Sequence, residues 1–211
     1  MSTSGGSAVS AAMAELETRL QALKRPAPLI MHRSERRVSR MFTVECQHLR
    51  FANGREADYE RIRSRRGAVL CVPFDGRHFM LSVEYAAGIG RYALTLVKGR
   101  IDPGEEGVAA ARRELQEEIG FDAGCLELLR EELTVAPGTL ELRMQAYLCT
   151  ELTPSTLPGD EPEPPALVQV TPQQALELVF TPSSPLHEGR CLAALTLALH
   201  RLGYLRAGEA G

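Results

Sequence analysis

Three glutamates at helical spacing lie in the middle of the chain, close behind a glycine. They are Glu114, Glu117 and Glu118, within the segment Gly99–Phe121. At about 100° per residue, their side chains lie along one side of a helix, next to an apolar stripe that faces the core. Like charges at this spacing destabilise a helix by about 0.2–0.5 kcal/mol per pair, a cost that a bound divalent cation reverses. The pattern therefore predicts a metal site.

The donor atoms indicate which metal this site would hold. Carboxylate oxygens suit Mg²⁺ or Mn²⁺, whereas zinc prefers histidine and cysteine, and the five histidines show no ligand spacing. Magnesium usually takes one or two carboxylates together with phosphate oxygens of a substrate. We therefore expect Mg²⁺, with Mn²⁺ as a substitute, and a phosphorylated small molecule. The alternative is a solvated acidic helix face, which has most weight for Glu117 alone.

The elements that must position these glutamates can be predicted from periodicity and turn residues. Apolar residues at helical spacing predict a helix over Glu105–Ile119, which Gly120 ends. The other elements predicted in this part of the chain are a strand pair Ala68–Phe74 and His78–Glu84 joined around Asp75-Gly76, strands at Tyr92–Val97, Cys125–Thr134 and Arg143–Cys149, a loop at Thr153–Pro165, and helices at Gln173–Leu178 and Arg190–Leu205.

The N-terminal part of the chain has a different pattern. A Ser/Gly-rich tail, Met1–Ser7, is predicted to be disordered, and apolar residues from Val9 to Leu23 then recur at steps of three and four until Pro26. This amphipathic helix is too short for a coiled-coil signal, so packing on its own subunit is favoured over a partner helix. Alternating stretches around Asn53-Gly54 predict a β-hairpin between Phe42 and Arg63.

Composition excludes several classes of protein. A net charge of -3 and a pI near 6.0 argue against a nucleic-acid partner bound through a basic face. No stretch approaches the ~20 apolar residues that span a bilayer, and the first thirty residues do not resemble a signal peptide. Five widely spaced cysteines favour a reducing compartment. The expected location is the cytoplasm, without a membrane partner.

The segment Gly99–Phe121 resembles the signature of the Nudix hydrolase family. That signature reads G, five residues, E, seven residues, R-E, an aliphatic residue, any residue, E-E, any residue, G and a bulky apolar residue. The residues at its specified positions are Gly99, Glu105, Arg113, Glu114, Leu115, Glu117, Glu118, Gly120 and Phe121. The resemblance implies an α/β fold, an α/β/α sandwich with a mixed β-sheet. We expect a tail and helix at 1–40, a hairpin at 41–66 and the Nudix domain at 67–211.

The resemblance also implies roles for residues of this box. Glu114 and Glu118 would be the principal metal ligands, and Glu117 would be a third or water-mediated ligand and a catalytic residue. The backbone carbonyl of Lys98 or Gly99 would complete the metal site.

Four positions of the box would have structural roles. Glu105 and Arg113 would pair to fix the helix against its loop. Gly99 and Gly120, the two glycines of the box, would be structural as well, and Gly120 would end the helix.

Flanking residues resemble the ADP-ribose pyrophosphatase branch of the family, and within it the NudE-type ADP compounds hydrolases of bacteria. Three stretches carry this resemblance, namely MFTVECQHLRFANGREADYERIR, VKGRIDPGEE and GDEPEP. It implies a homodimer in which the hairpin reaches the neighbouring active site. Glu60 would then contact adenine or ribose, Arg63 or Arg66 would lie near a phosphate, and Pro137 occupies a position where this branch usually has proline. A solvated turn is an equal alternative for the arginines.

A carboxylate must also activate water beside the metals. In this branch the base can come from a mobile loop beyond the box, which here is Gly159–Pro164. Among its acidic residues, Asp160, Glu161 and Glu163, we favour Glu161 as the catalytic base. An acidic surface loop kept open by prolines is the alternative.

The resemblance predicts Mg²⁺-dependent hydrolysis of the diphosphate bond in ADP-ribose and related ADP compounds such as NADH and diadenosine polyphosphates, with release of AMP. One alternative is a sanitising hydrolase of nucleoside triphosphates or of other nucleoside diphosphate derivatives. Another is a regulator that binds ADP-ribose or NAD without catalysis, although such proteins usually have damaged boxes.

Overall fold

The computed structural model describes residues 4–40, 42–64, 66–159 and 162–205. The chain divides into two compact units, Met1–Arg61 and Ile62–Gly211. In chain order the elements are α1 (Ser4–Leu23), β1 (Leu29–Arg37), β2 (Thr43–Arg50), β3 (Glu56–Arg63), β4 (Ala68–Pro73), β5 (Phe79–Ala86), β6 (Arg91–Thr95), β7 (Val97–Arg100), α2 (Gly107–Glu118), β8 (Phe121–Thr134), β9 (Leu140–Glu141), β10 (Arg143–Pro154), β11 (Ala166–Val170), α3 (Pro172–Phe180) and α4 (Gly189–Arg201). No helix among the described residues is long and apolar enough to cross a membrane.

The first unit begins with α1, which differs from its prediction in two ways. The helix starts at Ser4, so the prediction of disorder is wrong from Ser4 to Ser7, and residues 1–3 lie outside the described ranges. Its apolar stripe is exposed, whereas the sequence favoured a packed stripe. The exposed side chains are Met13, Leu16, Leu20 and Leu23. The physical reason is a shortage of apolar surface, since Leu49 is the one buried apolar side chain among the described residues of this unit.

Three strands complete the first unit. β2 and β3 lie side by side and are joined through Asn53-Gly54, where Gly54 has a φ of +81°, so the predicted hairpin is confirmed. β1 runs antiparallel to β2, from the pair Leu29–Arg50 to the pair Arg37–Thr43. The sequence analysis did not identify β1, because its nine residues LIMHRSERR are all exposed and show no apolar alternation.

The second unit is built on a mixed sheet of four strands in the order β7-β4-β10-β8. β4 is antiparallel to β7 and parallel to β10, and β10 is antiparallel to β8. Alternate residues of β4 point to opposite faces, because side chains alternate along a strand. Val69 and Cys71 pack with α2, whereas Leu70 and Val72 pack in the core that contains α4. The sheet thus lies between two helices, and the predicted α/β/α sandwich is confirmed.

A second sheet of this unit has the order β11-β5-β6, and all its neighbouring strands are antiparallel. It corrects the predicted pairing of Ala68–Phe74 with His78–Glu84. The turn at Asp75-Gly76 is present, but the two strands meet only in the bridge between Phe74 and Phe79 and then enter different sheets. The turn residues indicated the reversal correctly. They could not indicate that β4 takes β7 and β10 as partners.

Candidate active site

The glycine at the start of the box allows the closest approach of strand and helix in the site. Gly99 lies in β7, and its backbone contacts the carboxyl group of Glu114 on α2. A Cβ atom on Gly99 would stand 1.9 Å from Cδ of Glu114 and 2.0 and 2.1 Å from its two oxygens. These distances are far below van der Waals contact, so only glycine permits this buried carboxylate to lie against the strand.

Arg113 of α2 connects three carboxylates. Its Nε and Nη2 donate to the two oxygens of Glu105, each at 3.0 Å. Its Nη1 donates to Oε1 of Glu114 at 2.6 Å and to Oε2 of Glu117 at 3.0 Å. Nη2 also donates to the carbonyl oxygen of Arg100 at 2.9 Å. The planar guanidinium, with five donors in a fixed fork, suits this arrangement as no other side chain does.

These contacts favour the charged forms of Glu105 and Arg113. Hydrogen bonding from Arg113 lowers the pKa of Glu105, and the hydrogen bond to Glu105 holds the pKa of Arg113 well above its usual value. Oε2 of Glu105 also accepts the backbone N–H of Asp102 at 2.9 Å. Glu105 therefore ties the loop before α2 to the helix itself, and the ion pair with Arg113 is bidentate.

Glu118, the last residue of α2, has an incompletely satisfied carboxyl group. Its Oε1 accepts a long hydrogen bond of 3.4 Å from the backbone N–H of Lys98, and its Oε2 is buried with no hydrogen-bond partner among the described residues. Burial raises the pKa of Glu118 to about 8, which Lys98 opposes and the carboxylates of Glu84 and Glu114 reinforce. A buried carboxylate oxygen without a partner is costly, and a hard cation would remove that cost.

The side chain of Lys98 lies in the same place. Its ammonium donates to Oε1 of Glu84, which projects from β5, and the two side chains are 15% and 28% exposed. A largely buried ion pair therefore lies next to Glu118. Lys98 contributes to the site twice, because its backbone contacts Glu118 and its ammonium contacts Glu84.

The residues present fit a hard divalent cation in their chemistry. The donors are carboxylates, and one of them, Glu118, has a buried oxygen without a partner in the described part of the chain. Within those residues, no three acidic, histidine or cysteine side chains are grouped closely enough to hold a metal ion together. Glu114 and Glu117 both contact Nη1 of Arg113.

The chain beyond β10 is attached to the C-terminal turn of α2. Gly120 ends the helix with a φ of +73°, a left-handed conformation that favours glycine. Its carbonyl accepts the N–H of Ser155 at 2.9 Å, and the carbonyl of Gln116 accepts the N–H of Leu157 at 3.1 Å. Nε2 of Gln116 donates to Oγ of Ser155 at 2.6 Å. The segment that leads into the acidic loop therefore lies directly on the box helix.

The acidic loop is attached at its other end as well. Tyr92 of β6 donates its hydroxyl hydrogen to Oε2 of Glu163 at 2.6 Å, a contact that raises the pKa of Tyr92. Asp160 and Glu161 lie outside the described residues, so the choice of Glu161 as base stays a prediction. The attachments at Leu157 and Glu163 bracket them.

The predicted substrate-binding residues fall into three places. Glu60 lies exposed on β3 in the first unit, where it accepts a 3.5 Å contact from the Cys46 thiol. Arg63 and Pro137 come together in the second unit, because Ile62 donates its N–H to the carbonyl of Thr139 in the turn that contains Pro137. Arg66 lies in the third place, beside the box loop.

Both arginines have acidic partners. Nε of Arg63 donates to Oε2 of Glu141 at 3.0 Å. Nη1 of Arg66 donates to Oδ1 of Asp102 at 3.2 Å, which places Arg66 beside the box loop. Pro137 is exposed in its turn, between β8 and β9. The roles of these residues towards a substrate remain predictions.

Sequence analysis missed the roles of Glu84 and Tyr92. Glu84 could have been noticed as the one charged residue in the apolar strand FMLSVEYA, since a charge on a largely buried strand needs a partner. Tyr92 gave no such signal, because an aromatic residue on a strand is most often there for packing.

A mixed sheet lies between two helices, and the carboxylates of the complete box lie on one of these helices and on the loop before it. Together these features define the class of this protein. The chain belongs to the Nudix family, and it is a Nudix hydrolase. The family model of the NUDIX domain matches residues 64–186, and the model of the NudE-type Nudix hydrolase N-terminal domain matches residues 28–61.

A curated relative and a solved structure show the same relationship. The chain is 42% identical over 160 residues to the ADP compounds hydrolase NudE of Escherichia coli strain K12, a match that covers 75% of this chain and 84% of that protein. It is also similar to the crystal structure of an ADP compounds hydrolase, with a TM-score of 0.79, 38% identity, and coverage of 86% of this chain and 99% of the other. The predicted family and enzyme class are thus confirmed.

Proposed function

We propose that this Nudix hydrolase cleaves the diphosphate bond of ADP-ribose and of related ADP compounds, such as NADH and diadenosine polyphosphates, with Mg²⁺ and with release of AMP. The observation that carries the proposal is the buried Oε2 of Glu118, which has no hydrogen-bond partner among the described residues, on a carboxyl group that contacts the backbone of Lys98 in β7. The similarity to a curated protein and to a solved structure that are both named as ADP compounds hydrolase supports the substrate class.

Glu114 and Glu118 would hold Mg²⁺, with Glu117 and the backbone carbonyl of Lys98 as further donors. When bound, the metal supplies Lewis-acid stabilisation of the diphosphate oxygens and a more acidic water. Mn²⁺ would be an effective substitute because it accepts the same oxygen donors. Binding requires Glu114 and Glu117 to exchange contacts with Arg113 for contacts with the cation.

Other residues of the chain would orient the reaction. Arg113 and Glu105 hold α2 against its loop through their bidentate ion pair. Gly99 leaves room for the carboxyl group of Glu114, and Gly120 permits the left-handed backbone conformation at the end of the box. Glu161 is proposed to remove the proton from the attacking water, together with Glu117 near the metals. The hydrogen bonds of Leu157 and Glu163 support this role, since they attach the loop that carries Glu161.

Substrate contacts are proposed on both sides of a homodimer in the cytoplasm. Glu60 would contact adenine or ribose of a substrate bound to the other copy. Arg66 would approach a phosphate, since it already lies beside the box loop at Asp102. Arg63 would do so from the turn that contains Pro137.

A substrate screen tests the reaction and the substrate class together. Purified protein is incubated with Mg²⁺ and with ADP-ribose, NADH, diadenosine polyphosphates or nucleoside triphosphates, and products are separated by chromatography. We expect AMP from the ADP compounds and loss of turnover in EDTA or in Glu118→Gln. Release of pyrophosphate from triphosphates as the main reaction would favour the sanitising alternative, and binding of ADP-ribose or NAD without turnover of any substrate would favour the non-catalytic one. Full turnover by Glu118→Gln would contradict the role proposed for Glu118.

A further inference from the structure

Lys98 and Glu84 form an ion pair that no step of the proposed reaction uses. The pair joins β7 to β5, and both side chains are largely buried. Burying two charges costs free energy unless they are well paired, so we expect this pair to have a role that offsets the cost. Its position next to Glu118 indicates what it does.

The ammonium of Lys98 lies near two carboxylates, those of Glu84 and Glu118. It donates to Glu84, and it also acts electrostatically on Glu118, whose own Oε2 has no partner among the described residues. An ammonium and a divalent cation compete for the same carboxylate oxygens. Where Lys98 points therefore bears directly on how readily Glu118 binds metal.

We infer that Glu84 is a positioning residue that holds the Lys98 ammonium away from Glu118 and so keeps Glu118 available to a divalent cation. The inference rests on the proposed function, because it assumes that Glu118 is a metal ligand. Glu188, which Lys98 also influences, accepts from the Thr95 hydroxyl at 3.0 Å and from Arg190, whereas the ammonium of Lys98 donates to Glu84.

The inference predicts opposite effects for the two members of one ion pair. In Glu84→Gln, the ammonium loses its anionic partner and turns to Glu118, so metal binding weakens. In Lys98→Met, the competing ammonium is gone and Glu84 adds a negative charge near the site, so metal binding strengthens. A purely structural ion pair would give the same direction of change for both variants, because either substitution breaks it.

Calorimetric titration of the full-length protein with Mn²⁺ tests this directly. We expect the Kd of Glu84→Gln to rise about tenfold and that of Lys98→Met to fall severalfold, as expected for one charge at short range in a partly buried site. Because Glu84 acts through the ammonium, Glu84→Gln should change the Kd less in the Lys98→Met background than in the wild type, whereas equal changes in both backgrounds would contradict the positioning role. In turnover assays, saturating Mn²⁺ should restore the kcat of Glu84→Gln, a rescue that a misfolded site would not show.

Matched controls come from an ion pair on the other side of the central sheet. Arg201 on α4 contacts Glu127 on β8, so Glu127→Gln and Arg201→Met make the same charge changes away from α2. Their Kd values should match the wild type. Thermal unfolding checks each variant, and Lys98→Gln replaces Lys98→Met if the latter does not fold.

The outcomes separate the two proposals. If both members of the pair shift the Kd in the same direction, or by no more than the controls do, Glu84 does not position Lys98 and the inference is wrong. Loss of Mn²⁺ binding in Glu118→Gln would at the same time support the proposed metal site. If Glu118→Gln binds Mn²⁺ as tightly as the wild type, the metal assignment within the proposed function fails, whatever the pair variants show.

Discussion

The two helices that cover the central sheet, α2 and α4, differ in what they bury. α4 buries a wholly apolar stripe, comprising Cys191, Ala194, Leu195, Ala198 and Leu199. α2 buries two alanines and Leu115 together with Glu114, which lies against Gly99. α4 therefore contributes mainly to stability, whereas α2 buries a carboxylate in place of an apolar side chain. Substitutions on the two helices should therefore affect different quantities.

The largest effect should come from α2. Glu114→Gln keeps the shape of the side chain but removes the charge that we propose binds metal, so kcat should fall about 10³-fold with ADP-ribose and Mg²⁺. The unfolding temperature should change little, since Arg113 retains Glu105 and Glu117 as partners. Turnover above a tenth of the wild type would mean that α2 does not carry the chemistry.

The matched change on α4 should lower stability and leave catalysis intact. Leu195 is fully buried, so Leu195→Ala should lower the free energy of unfolding by about 2–5 kcal/mol. Urea denaturation measures this loss, and kcat per folded molecule should equal that of the wild type below the transition. A selective loss of kcat instead would show that the two faces of the sheet are not independent.

Gly99→Ala tests the contact between strand and helix. The new methyl group would overlap the carboxyl group of Glu114, so this side chain must move, and a displacement near 1 Å can reduce activity about 10²-fold. Turnover assays measure the loss. Gly120→Ala is the control, because its positive φ should cost stability while Glu114 stays in place.

The smallest effect that we expect is a change with pH in the free energy of unfolding of the metal-free protein. Burial raises the pKa of Glu118 to about 8, against 4.5 as the ordinary value for glutamate. The folded state therefore binds a proton that the unfolded state has lost, and stability must fall as pH rises from about 4.5 to about 8. Between pH 6 and pH 8 the loss should be roughly 2 kcal/mol.

Urea unfolding in EDTA across this range measures the loss. Glu118→Gln should flatten the dependence, because the amide does not ionise. An equally steep profile in Glu118→Gln would assign the dependence to another group.

Much of the second unit could be predicted from the sequence because its signals are local. The spacing of Glu114, Glu117 and Glu118 on one helix, and the glycine that ends it, depend only on neighbouring residues. The Glu84–Lys98 pair could not be predicted in this way, since it joins two strands that belong to different sheets. Partner choice among strands depends on the whole fold.

The first unit was harder to predict for a different reason. β1 has charged and polar residues on both faces, so it lacks the alternation that identifies a half-buried strand. α1 shows the reverse, since its apolar stripe predicted burial on the subunit and the stripe is exposed. Periodicity identifies an amphipathic helix, but it does not identify what covers the apolar side.

Arg113 limits how this active site can change during evolution. A single guanidinium contacts Glu105, Glu114, Glu117 and the carbonyl of Arg100, so one substitution disturbs four groups at once. Lysine has a single ammonium in place of the fork and cannot make the same set of contacts. Lineages that keep the hydrolytic activity should therefore keep this arginine, while the apolar residues of α4 can exchange for one another.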